Sequence, residues 1–131
     1  MGQEKLSLKN LSLIRSMAAM GGGIASSGGP CGALIGGVTL LGSVMGRGEP
    51  AGKDDPVMWK SAYVLYKRFE NEVAAEWDSV NCGDIAGVDW KDKEQTRDFY
   101  KGEAKFKCAD NTGKTARILG EVLEKYFGDR L

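Results

Sequence analysis

Residues 21–46 read GGGIASSGGPCGALIGGVTLLGSVMG, with Gly21 first and Gly46 last, and the folding of this stretch decides the rest of the chain. Eleven of the nineteen glycines fall between Gly21 and Gly48. Glycine loses more backbone freedom on folding than any other residue, so such a density implies that something approaches the backbone closely. The second half carries Leu34, Val38, Leu41 and Val44 or Met45 at the three- and four-residue steps of a helix face. Pro30 suits the first helical position, where its missing N–H costs nothing, and this places Cys31 in the first turn. Gly32, Gly36 and Gly37 then supply small positions that a neighbouring backbone can approach. The apolar run from Ala33 to Met45 falls short of the roughly 20 residues that span a bilayer, so it reads as a buried helix and no membrane insertion is expected.

Upstream, Ser7 caps a helix bearing Leu8, Leu11, Ile14 and Ala18, which ends at the Gly21–Gly23 cluster. Downstream, Arg47–Asp55 carries Gly48, Pro50 and Gly52 and reads as a surface connection. Asp55 followed by Pro56 is a start signal for a helix reaching about Ala75. Its stripe of Trp59, Ala62, Tyr63, Tyr66, Phe69 and Val73 is expected to face the core. From Trp77 to Trp90 the pattern breaks at Asn81, Gly83, Asp84, Gly87 and Asp89, giving an irregular loop that contains Cys82. Lys91–Lys101 reads as a short charged helix closed by Gly102. The last helix runs from about Phe106 to Phe127, with Ala109, Thr112, Ala116, Leu119, Val122 or Leu123 and Tyr126 inward, Gly128 as its stop and Cys108 in its first turn. The expected fold is all-α: a single small domain of about five helices spanning residues 1–131.

At 131 residues and 42% hydrophobic, the chain is long enough for one self-supporting core. Eighteen basic and eighteen acidic residues cancel, so nothing in the net charge points to nucleic acid or an anionic membrane surface. Histidine is absent, which excludes His-dependent triads, HExxH zinc sites and CxxCH haem attachment. The glycine loop lacks GxGxxG spacing and follows a helix rather than a strand. Gly113-Lys114-Thr115 has Cys108 where a phosphate loop needs its first glycine. Asp54 with Asp55, and Glu70 with Glu72, read as caps or a solvated helix face rather than acid/base pairs.

Chemistry is left to Cys31, Cys82 and Cys108, an odd set with long spacings that suits neither a secreted disulfide framework nor a CxxC motif. Free cysteines of this kind point to the reducing cytoplasm. Cys31 and Cys108, in first turns, lie where exposed N–H groups favour a thiolate, the form that binds soft metals and iron–sulfur clusters. The bland alternative is that a free cysteine is a small buried hydrophobe.

Gly21-Gly22-Gly23, then Cys31-Gly32-Ala33-Leu34-Ile35-Gly36, then Cys82 in Asn-Cys-Gly-Asp-Ile-x-Gly, then Cys108 before a closing amphipathic helix, resemble the C_GCAxxG_C_C family of redox-active proteins. The likeness covers most of the chain. It implies a small helical domain related to the split-Soret cytochromes c, where such a domain accompanies haem and an iron–sulfur cluster. It sets Cys31 against the cysteine of the CGAxxG element, and Cys82 and Cys108 against the two that follow. The family typically has a further upstream cysteine, which this chain lacks, and no haem is expected without histidine.

The resulting expectation is an iron–sulfur cluster, most simply [2Fe–2S], held by Cys31, Cys82 and Cys108 for electron transfer or redox sensing. Gly28, Gly29 and Gly32 would let backbone N–H groups reach cluster sulfurs. The redox partner is unknown, and the family likeness and the glycine face together suggest a homodimer. Two rivals stand beside it. One is a metal-free thiol/disulfide protein cycling Cys82 with Cys108; the other is an interaction module using Trp59, Tyr63 and Tyr66.

Overall fold

The computed structural model describes residues 1–130, and among them every named element is helical, apart from one isolated bridge between Pro30 and Asn81. The helices are α1 (Gly2–Lys5), α2 (Leu11–Ser16), α3 (Gly32–Met45), α4 (Pro56–Arg68), α5 (Cys82–Ala86), α6 (Lys93–Lys101) and α7 (Ala104–Phe127). The all-α expectation holds.

Caps set the boundaries. Asp55 accepts a hydrogen bond from the Val57 N–H at 2.9 Å, and Pro56 follows it at the first helical position of α4. Asp92 accepts from Glu94 and Gln95 and starts α6. At the N-terminus the expected cap fails. Ser7 sits in a left-handed turn (φ 53°), and Asn10 takes over by accepting from the Leu13 N–H at 2.9 Å. The helix expected after Ser7 is therefore reduced to α2 and a 3-10 turn at Ala18–Met20, with α1 a separate short helix upstream.

The core lies where α3, α4 and α7 meet, around Leu34, Leu41, Leu65, Phe69, Ile118 and Leu123. Gly37 explains how α3 and α4 pack: a Cβ there would lie 2.8 Å from Leu65 Cδ2, so the missing side chain is the space Leu65 fills. The small-residue face thus serves packing within the chain at Gly37, whereas Gly36 is open.

Two sequence stripes are corrected. On α4 the inward residues are Ser61 and Leu65, continued as expected by Phe69 and Val73 in the π-turn that follows, while Trp59 and Tyr63 are 70% and 65% exposed and Tyr66 is also exposed. Ser61 can occupy the crowded face because it is small and its hydroxyl donates to the Met58 carbonyl at 2.9 Å. Bulky aromatics at the same period could not let α3 come so near. On α7 the inward residues are Asn111, Thr115, Ile118, Leu119, Val122 and Leu123, whereas Ala109 and Thr112 are exposed. Reading polarity as exposure rotates that face by about one residue. The last helix does end at Phe127 with Gly128 as its C-cap, though Gly128 keeps helical angles (φ −55°, ψ −39°) and the chain tightens into a 3-10 turn rather than reversing there. Beyond α4 the chain runs through a π-turn at Phe69–Val73 and a 3-10 turn at Ala75–Trp77, reversing at Asp78 (φ 47°) toward the Cys82 segment.

Arg68 ties α4 to α7 by pairing with Glu72 and, at 2.7 Å, with Glu121. Such partly exposed pairs are worth about 0–1 kcal/mol each; the apolar core carries the fold. No helix among the described residues is long and apolar enough to cross a membrane.

Candidate functional site

Glycine makes the floor of the site. From Gly22 through Ser26 five consecutive residues adopt positive φ, three of them not glycine. L-residues pay roughly 1–2 kcal/mol each for this conformation. Hydrogen bonds offset it: Ile24 N–H donates to the Met20 carbonyl at 3.1 Å, Ala25 N–H to Ala19 at 2.7 Å and Ser26 N–H to Gly21 at 3.1 Å. Gly23 (φ 73°) has no substitute, because a Cβ there would strike the Gly29 backbone and lie 2.8 Å from Cys82 Cβ.

This turn delivers residues 28–31 alongside residues 80–83. Cys31 N–H donates to the Val80 carbonyl at 2.9 Å, Cys82 N–H to Gly29 at 2.6 Å and Gly83 N–H to Gly28 at 3.1 Å. The Pro30–Asn81 bridge is the centre of that short antiparallel zipper. It fastens two cysteines separated by fifty residues of chain into adjacent backbone. Cys31 is the N-cap of α3 rather than a first-turn residue, since Pro30 is spent in the bridge. Cys82 opens α5 instead of lying in an irregular loop. Cys108 lies in the second turn of α7, because that helix starts at Ala104.

All three thiols are free and partly buried. They are electrostatically linked: negative charge at Cys31 pushes the Cys82 thiol up, and charge at Cys82 and Cys31 pushes Cys108 up. The chief cause in both is burial, which disfavours the thiolate. Low-pKa thiols favoured by helix starts, expected at Cys108, are therefore not what the fold builds there. The N–H groups of Gly28 and Gly29 donate to the carbonyls of Gly22 and Gly23, both at 2.9 Å. Their part is to hold the loop. Gly32 N–H opens α3, where the first N–H groups have no helical acceptor.

One contact was not visible in the sequence. Trp90 Nε1–H donates to Cys82 Sγ at 3.3 Å, and the indole is locked edge-on against Phe99 at 5.0 Å between centroids. Tyr100 packs on the same group, 5.3 Å from Phe99, and leads to the surface. Trp90 lies eight positions beyond Cys82 across an α5 turn, so no motif or period signals the pairing. A cleft of about 320 Å³ between Gly22, Ser26, Trp90 and Tyr100 opens beside it. A larger apolar cavity of about 520 Å³ lies under α1 and α2, lined by Leu8, Ile14, Leu40 and Leu119, and none of its lining residues is a cysteine.

A family model described as "Putative redox-active protein (C_GCAxxG_C_C)" matches residues 1–122. The chain belongs to the C_GCAxxG_C_C family. No curated protein and no solved structure gives a significant match.

Whether the residues suit an iron–sulfur cluster turns on the donor set. Among the described residues no three Cys, Asp or Glu side chains already stand close enough to hold a single metal ion. A cluster asks for less: its ligands bind different irons and need not meet at one point. The soft donors such a cluster would use are Cys31 and Cys82 on the zippered backbone and Cys108 on α7, which packs against α5.

Proposed function

We propose that this C_GCAxxG_C_C protein binds an iron–sulfur cluster, most simply [2Fe–2S], through Cys31, Cys82 and Cys108, and serves electron transfer or redox sensing. The observation that carries the reading is the zipper between residues 28–31 and 80–83, which sets Cys31 and Cys82 on adjacent backbone, while α7, which carries Cys108, packs against α5. Bound there, the cluster would supply one-electron redox chemistry.

The chain's own residues do the rest. The backbone hydrogen bonds to Val80 and Gly29 fix where Cys31 and Cys82 project. Trp90 donates to Cys82 Sγ and holds that sulfur's orientation, while its ring and Phe99 keep water from one side. Burial works against a bare thiolate at Cys82 and Cys108, which weighs against free thiol exchange, a reaction that needs the thiolate exposed and ionised. A metal replaces the proton and removes that penalty. Three thiolates leave one of the usual four ligand positions to a non-cysteine side chain, an exogenous thiol or a second copy of the chain.

Anaerobic reconstitution with ferrous iron and sulfide tests this. The expected result is a coloured protein with stoichiometric iron and acid-labile sulfide, both lost in the Cys31→Ser, Cys82→Ser, Cys108→Ser triple variant. A colourless wild-type chain without iron would sink the proposal; if two thiols then vanish on mild oxidation, the thiol/disulfide reading replaces it.

A further inference from the structure

On α7, residues 108, 111, 115, 118 and 122 succeed one another along the face turned to the core. Four of them are readily explained: Cys108 belongs to the thiol centre, Ile118 and Val122 are apolar, and Thr115 spends its hydroxyl on the Asn111 carbonyl at 2.7 Å. Asn111 is not explained. It is 3% exposed, and its Nδ2 is sealed from solvent with no hydrogen-bond acceptor among the described residues. A buried donor left unpaired forfeits its hydration without compensation, and a leucine of similar volume would cost nothing of the kind.

Nearby acceptors are already taken. The Cys108 carbonyl accepts from Thr112 Oγ1 at 2.9 Å, and the Asn111 carbonyl from Thr115. Side chains on a helix lean toward its N-terminus, over the preceding turn, and for Asn111 that turn carries Cys108. Residues three apart on a helix have Cβ atoms about 5–6 Å from each other.

We infer that Asn111 is a positioning residue of the centre: its Nδ2–H₂ donates to sulfur at the Cys108 corner, either the ligating thiolate or a cluster sulfide. The inference rests on the cluster reading above. Without the cluster the amide has no acceptor; with it, a negatively charged sulfur comes within reach of a donor fixed in the core. Donors to sulfur stabilise the reduced, more negative state, so Asn111 raises the reduction potential.

The test compares wild type with Asn111→Leu and Asn111→Gln after anaerobic reconstitution, reading the midpoint from a redox titration of the visible spectrum and cluster loss to a chelator. Metal-free Asn111→Leu is expected to melt at or above the wild-type temperature, because an unpaired buried polar group is gone. Its cluster is expected to titrate at a more negative midpoint and to be lost several-fold faster, with Asn111→Gln recovering part of both. If Asn111→Leu does not fold, Asn111→Ala is read the same way. A wild-type cluster whose midpoint and loss rate are unchanged by the substitution would overturn this inference while leaving the cluster proposal standing. A wild-type chain that takes up no iron would overturn both.

Discussion

Trp90 shows how much one side chain can decide. Its indole N–H is the only hydrogen bond to a cysteine sulfur among the described residues, and it lowers the Cys82 thiol against a larger upward push from burial. Trp90→Phe keeps the ring against Phe99 but removes the donor. In the metal-free protein it is expected to raise the Cys82 pKa further, so that alkylation of Cys82 by iodoacetamide at pH 8 slows relative to wild type, followed residue by residue by mass spectrometry. Unchanged labelling would mean that the N–H···S contact carries no weight in solution. The sequence held Trp90 in plain view but gave no reason to single it out, because the pairing with Cys82 exists only once α5 reverses the chain.

Among the elements, α3 shows glycine meaning opposite things one residue apart. Both Gly36 and Gly37 lie inside the helix, where glycine is about 1 kcal/mol less favourable than alanine. At Gly36 a Cβ meets nothing within 4 Å, whereas at Gly37 it would lie 2.8 Å from Leu65 Cδ2. Gly36→Ala is therefore expected to stabilise the protein by up to about 1 kcal/mol. Gly37→Ala is expected to destabilise it by about 1–3 kcal/mol through overpacking. Urea unfolding of the two variants reads the difference, and equal effects would mean that α3 does not pack on α4 through Gly37. The same logic explains the misread faces of α4 and α7. Period locates a helix, but where small polar residues such as Ser61 and Asn111 lie inward and Trp59 and Tyr63 lie outward, polarity misidentifies the buried side.

For the molecule as a whole, the thiol centre makes stability depend on alkaline pH. Burial raises the Cys82 and Cys108 pKa values in the folded chain, while in the unfolded chain such thiols ionise near about 8.5. Below that pH both states are protonated and the contribution is flat. Above it the unfolded state binds fewer protons, so stability falls as pH rises and continues to fall until the folded thiols also ionise. The urea midpoint of the metal-free protein is expected to drop between pH 7.5 and 9.5, and the drop to shrink in the Cys82→Ser, Cys108→Ser double variant. An equal drop in both would assign it to other groups. With iron bound the thiolates are already formed, and this dependence should weaken.

The sequence by itself determined that the chain is helical, where the long helices lie, that the glycine-rich stretch feeds a buried helix, that histidine chemistry is absent and that Cys31, Cys82 and Cys108 are its three thiols. These are local properties: periodicity, caps such as Asp55 and residue type act within a few positions. Tertiary structure alone decided that Pro30 bridges to Asn81, that Gly23 must yield its side-chain space to Cys82, that Leu65 fills Gly37, that Trp90 donates to Cys82 and that Asn111 is buried. Each joins segments far apart in the chain or depends on which side of a helix its neighbours cover. Residues 21–46 are thus both the most legible stretch and the most incomplete one, because part of what its glycines accommodate comes from outside it, at Leu65 and Cys82.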